Sequence, residues 1–156
     1  MTAQPGSVEP VAEPVVVRLA ALSAEPLDVA AHLAAVSDSR AGAVATFVGQ
    51  VRDHDPSVDG EVTALEYSAH PDASAEMSRI AGEVAVRHPE VLALAVSHRT
   101  GLLEVGEPAV VAAVASAHRA AAFTACSELV EQVKAELPEW KREVLADGTH
   151  VWVGSA

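Results

Sequence analysis

The only two lysines of this 156-residue chain, Lys134 and Lys141, stand seven positions apart. They belong to one stretch, Ser116 to Glu143 (SAHRAAAFTACSELVEQVKAELPEWKRE), which opens on His118-Arg119 and closes on Lys141-Arg142-Glu143. The chain has ten basic residues against 22 acidic ones, and the other arginines are dispersed. A lysine held beside an apolar face or near other cations gives up its proton more readily, so its amine can act as a base or attack an acyl carbon. Arginine offers a forked set of donors that matches phosphate. With Arg52 added, the set Arg52, His118, Arg119, Lys134, Lys141 and Arg142 suits a phosphorylated ligand with an amine at hand for chemistry. Plainer readings stand beside these. A lysine near a helix C-terminus complements the helix dipole by about 0.3–1 kcal/mol, and Arg52 is equally a solvated charge at a strand end.

Other chemistries find little support. A single cysteine, Cys126, forms no internal disulfide and no cysteine metal cage. It falls in the middle of an apolar helical stripe, where a thiol serves as a small hydrophobe. The seven histidines are dispersed without metal-ligand spacing, and His32 reads as a helix-packing or surface residue. No G-x-S-x-G and no Gly-rich phosphate loop occurs. No metal and no cofactor is therefore expected. A formal net charge of −12 argues against a nucleic-acid or anionic-membrane surface. No apolar run approaches the roughly 20 residues of a membrane span. The start, MTAQPGSVEPVAEP, has neither the basic nor the apolar region of a signal peptide, so a cytoplasmic protein is expected.

The elements that must position the basic stretch follow from periodicity. Residues 1–14 read as a flexible, Pro-rich lead-in, and residues 15–156 as a single domain. VVVRLAAL (15–22) is a β-branched strand, and Pro26 opens a helix through Val36. Gly42 to Val51 is a strand in which Gly49 marks a bulge or a close backbone approach. Arg52 and a polar loop lead to a strand at 62–68, a pairing read as a long hairpin with Arg52 at its mouth. A helix runs from Pro71 to His88. Val91–Ser97 and Ala109–Ala115 are strands, and the RTGLLEVGEP between them is read as turns. A helix follows Arg119, with Phe123, Cys126, Val130, Val133 and Leu137 as its buried stripe and Lys134 at the margin of that face. Pro138 ends it, and a last hairpin turns at Asp147-Gly148. The order β-α-β-β-α-β-β-α plus hairpin predicts an α+β fold, with helices on one face of a largely antiparallel, mixed sheet.

Three separated segments, GAVATFVGQVRDH, SAHRAAAF and KAELPEWKRE, together resemble the catalytic (large) subunits of molybdopterin synthases, in the same order and over roughly Gly42 to Trp152. The resemblance implies an α/β hammerhead fold with a small added antiparallel β subdomain. It implies sulfur transfer to a cyclic pyranopterin monophosphate, which makes the dithiolene of molybdopterin. The sulfur would come from the thiocarboxylated C-terminal Gly-Gly tail of a small, ubiquitin-like sulfur-carrier subunit. The assembly would be a heterotetramer around a homodimer of large subunits. By position, Lys134 matches the lysine essential for transfer and Lys141 the second active-site lysine. His118, Arg119 and Arg52 match substrate contacts, Gln50 and Val51 belong to the same strand-end motif, and Arg142 and Glu143 flank the pocket. Where the family often carries lysine, this chain has Gln50, so one phosphate-directed charge is missing.

Two other functions fit the same basic residues. A non-catalytic module binding a phosphorylated pterin or nucleotide would keep the arginines and need no amine. A structural dimer scaffold would use the cluster against an acidic partner, with salt-sensitive association.

Overall fold

The computed structural model describes residues 16–153. Along the chain lie β1 (Val17–Ser23), α1 (Val29–Ala35), β2 (Ala43–Gln50), β3 (Val62–Ala69) and α2 (Ala73–Arg87). There follow β4 (Val91–Arg99), β5 (Gly101–Glu104), β6 (Pro108–Ser116), α3 (Arg119–Glu136), β7 (Glu139–Leu145) and β8 (His150–Val153). The lead-in expected over residues 1–14 lies outside the described residues.

The described strands form two four-stranded sheets, ordered β1-β4-β6-β2 and β5-β3-β7-β8. β1 runs parallel to β4, and the other pairings are antiparallel. The mixed, largely antiparallel α+β character expected from the sequence is present. β4 and β6 read as nearly continuous apolar runs because both of their faces are covered. On one face Leu94, Val96, Ala112 and Val114 pack under α2 and α3, against Met77, Ile80, Val84 and Leu129. On the other, Ala93, Ala95, Ala113 and Ala115 pack with Val36 and the end of α1. Helices therefore lie on both faces, not on one as the sequence suggested. The alanines at alternate positions leave room for α1 to approach closely. That helix is short and opens on a side-chain cap, with Ala31 N–H donating to Asp28 Oδ1 at 3.1 Å.

The expected β2–β3 hairpin does not form. β2 pairs with β6 in the first sheet, and β3 pairs with β5 and β7 in the second. Residues 51–61 thus cross from one sheet to the other. Val51 pins this crossing: its N–H donates to Glu107 O at 3.1 Å, its carbonyl accepts from Gly106 N–H at 2.7 Å, and its side chain is buried in the second sheet's core. RTGLLEVGEP holds the four-residue β5, too short and too Gly-flanked for its alternation to be read. Gly49 does what its place in the strand implied. The β2–β6 register shifts between Gly49 and Gln50, and a Cβ at Gly49 would lie 2.6 Å from Val110 Cγ1. In α3 the buried face is Ala122, Ala125, Cys126, Leu129, Val130 and Val133, whereas Phe123 is 66% exposed.

Candidate active site

The seam between the two sheets opens into a cavity of about 260 Å³. β2 brings Gly49 and Gln50 to its wall, β3 brings Tyr67, and β4 ends there with His98. The last turn of α3 adds Val133 and Lys134, and β7 adds Glu139 and Lys141. The two lysines come together because Pro138 stops the helix and the chain turns directly into β7. Glu139 and Lys141 then share one face of that strand, as residues two apart must. Among the described residues neither lysine lies within ion-pair distance of a carboxylate. The surrounding wall is apolar: Ala109, Val110, Val133, Leu137 and Val153.

The other expected site residues fall into three places. Val51, Arg52 and Glu143 lie near the cavity without lining it; Val51 is a core residue and Arg52 is an exposed charge on the crossing segment. Arg142 points from the opposite face of β7, where it pairs with Glu66 at 3.1 Å and stands over the Trp152 ring at 5.9 Å. His118 and Arg119 lie at the far end of α3, in a shallow concavity with Gly42, Ala43 and Ala117. Gly42 is needed there, because a Cβ would sit 2.5 Å from Ala117 O. From Arg119 to Lys134 the helix rises about 22 Å. One chain therefore does not bring the His-Arg pair to its own lysines.

The family model described as MoaE protein matches residues 22–136. The chain belongs to the MoaE family. It is 43% identical over 135 residues to the molybdopterin synthase catalytic subunit of Brucella melitensis, an alignment covering 84% of this chain and 80% of that one. The crystal structure of molybdopterin synthase from Staphylococcus aureus matches with a TM-score of 0.79 at 29% identity, over 88% of this chain and 97% of the other. A complex of subunits 1 and 2 of the molybdopterin-converting factor from Helicobacter pylori shares the fold at a TM-score of 0.65 and 18% identity, over 89% and 90% of the two chains.

Electrostatics around the cavity of this MoaE chain are uneven. Burial above all, then hydrogen bonding and charge repulsion from Asp55, push the Glu143 carboxyl up to about 7, while Lys141 and Arg52 pull it back. Asp55 is held well below the usual carboxylate range by Glu143 and by the Ser57 hydroxyl and N–H, at 2.7 and 2.9 Å. Burial, with the charges of Glu139 and Glu143 behind it, raises the Tyr67 phenol to about 12, so it stays a neutral donor. The Cys126 thiol is raised by burial.

Sequence reading missed Tyr67, His98, Glu139 and Asp55. His98 closes an apolar strand and Glu139 follows a proline, places where a lone polar residue carries no spacing signal. One clue was available. A histidine-arginine pair ending an otherwise mostly apolar strand is costly to bury without partners, and β4 buries both.

Proposed function

We propose that this chain is the catalytic subunit of a molybdopterin synthase, transferring sulfur to a cyclic pyranopterin monophosphate from the thiocarboxylated C-terminus of a small carrier subunit. One observation carries the reading: two lysines on the wall of one apolar-floored cavity, with no described carboxylate within ion-pair distance, at the positions the resemblance matches to the family's active-site lysines. The named relatives support it at 43% identity over most of both chains. Their designation as catalytic subunits, and the two-subunit complex sharing this fold, support a small partner subunit. The carrier's flexible Gly-Gly tail suits a narrow cavity, since glycines need no side-chain room.

In this reading Lys134 assists attack on the thiocarboxylate carbonyl, by covalent capture or by proton transfer, and Lys141 stands opposite it. Gln50 donates a neutral hydrogen bond where relatives often place a charge. Arg52, His118 and Arg119 hold the substrate phosphate. His118 and Arg119 reach a lysine pocket from a second copy of the chain, because α3 keeps them from their own. Arg142 and Glu143 support the lysine strand from either side. Cys126 is buried, so sulfur arrives from outside and is not stored on this chain. No described helix is long and apolar enough to cross a membrane, and a cytoplasmic reaction fits this reading.

The test is a single-turnover assay with thiocarboxylated carrier and pyranopterin monophosphate. Wild type makes the dithiolene, and Lys134→Ala loses at least about a hundredfold, roughly 2.7 kcal/mol of barrier. A wild type that binds the pterin but makes no product, with Lys134→Gln binding equally well, would establish the binding module instead. Mixing Lys134→Ala with Arg119→Ala subunits tests the shared pocket: activity returns in the mixed dimer only if each pocket draws on both copies.

A further inference from the structure

His98 is 6% exposed, and each of its ring nitrogens faces an oxygen. Nδ1 lies 2.8 Å from the Arg99 carbonyl, which can only accept, so Nδ1 carries a proton and donates it. Nε2 lies 3.0 Å from Glu139 Oε1. A neutral imidazole with its proton on Nδ1 has a bare Nε2, and an ionised carboxylate has no proton to offer it. Two acceptors at 3.0 Å would repel. The contact therefore holds one proton more than a neutral histidine and an ionised glutamate would bring. Glu139 Oε2 is buried with no hydrogen-bond partner. A full negative charge left with one oxygen unsatisfied is costly, which favours keeping that proton between Oε1 and Nε2.

Both residues line the cavity that holds Lys134 and Lys141. Tyr67 stands edge-on to the His98 ring, with centroids 4.9 Å apart, and lies directly across from Lys141 in the β3–β7 pairing. The charged and titratable groups around the pair are Tyr67 from β3, Lys134 from α3, Lys141 and Glu143 from β7, and Arg99 with Glu107 behind it. On the cavity wall, the pair offers a proton beside two amines.

We infer that His98 and Glu139 share one proton on the wall of the lysine cavity and are its general acid, donating to the oxyanion that forms when the carrier's thiocarboxylate carbonyl is attacked. The inference rests on the sulfur-transfer reading of the cavity. In the step, the bond from the shared proton to the dyad breaks and an O–H bond forms on the former carbonyl oxygen. The dyad is left as a neutral imidazole beside a carboxylate. When the tetrahedral species collapses, the carbonyl reforms and the carbon–sulfur bond breaks, its electron pair leaving on the sulfur that passes to the pterin. The proton returns, and the dyad regains its starting charge. No oxidant or reductant enters.

The experiment has two arms. In the free full-length protein, proton NMR with nitrogen-labelled histidine should show a far-downfield proton correlated with His98 Nε2, absent from Glu139→Gln. In the assembled synthase, single-turnover rates of Glu139→Gln should fall about a hundredfold or more, with carrier binding unchanged. An absent downfield proton in wild type, or a Glu139→Gln enzyme with full turnover, overturns the inference. A wild type that makes no product refutes the sulfur-transfer reading and the dyad's acid role with it, and the NMR arm still decides whether the shared proton exists.

Discussion

The two sheets bury themselves in different ways. β4 and β6 in the first keep both faces dry with Ala, Val and Leu, and their side chains meet helices above and below. β7 in the second turns Glu143 and Leu145 inward and Trp140 outward, with Arg142 on the same outer face paired to Glu66. A strand buried on both sides has little room for ionisable groups, since each would need a partner. A strand with one open side tolerates them. The first sheet supplies rigidity, the second supplies Lys141 and Glu139, and the cavity lies where they meet. The first sheet adds His98 and Gln50 only from strand ends, where its two-sided cover runs out.

This contrast predicts that stability and turnover separate by sheet. The largest effect should come from Ile80→Ala under the first sheet. Its side chain is fully buried, and the loss should be about 2–5 kcal/mol in denaturant unfolding, with turnover per folded molecule intact. A fall in turnover with unchanged stability would break the division. Next comes Lys141→Ala, expected to lose at least about tenfold in single turnover, about 1.4 kcal/mol of barrier. Its melting temperature should stay near wild type, because no described carboxylate lies within ion-pair distance of the lysine. Gly148→Ala is smaller: Gly148 sits at φ +86° in the β7–β8 turn, so an added Cβ should cost about 1 kcal/mol in thermal unfolding.

The subtlest test is pH. Glu143 is raised from 4.5 to about 7 in the folded chain, so the folded state holds its proton more tightly than the unfolded one. Its contribution is complete below 4.5 and is lost as pH rises through about 7. Relative to Glu143→Gln, wild type should lose melting temperature across that window. A parallel course for the two proteins would mean that burial does not hold the proton on Glu143.

Much of the fold was legible because its signal is local. Apolar runs, the stop at Pro138 and the Asp147-Gly148 turn each act within a few residues. The β2–β3 hairpin was misread because adjacency in sequence is only a prior for pairing, and β2 found a longer apolar partner in β6. Phe123 was placed in the core because steps of three and four from Cys126 fit a stripe. Packing instead chose the neighbouring row through Ala122 and Leu129, which lets α3 approach β2 and β6 closely. Lys134 and Lys141 were legible as a pair through their rarity. The His98–Glu139 contact was not, since it joins residues 41 positions apart on two sheets, and no spacing rule spans that.

The burial of Cys126 has a consequence for side reactions. Thiol–disulfide exchange and oxidation both proceed through the thiolate. Behind α3 this sulfur is closed to solvent, and its pKa is raised. An enzyme passing sulfur from a carrier to a product that bears two sulfurs would be exposed to mixed disulfides at any surface thiol. This chain offers no such partner, and its one sulfhydryl survives the chemistry it hosts by staying out of it.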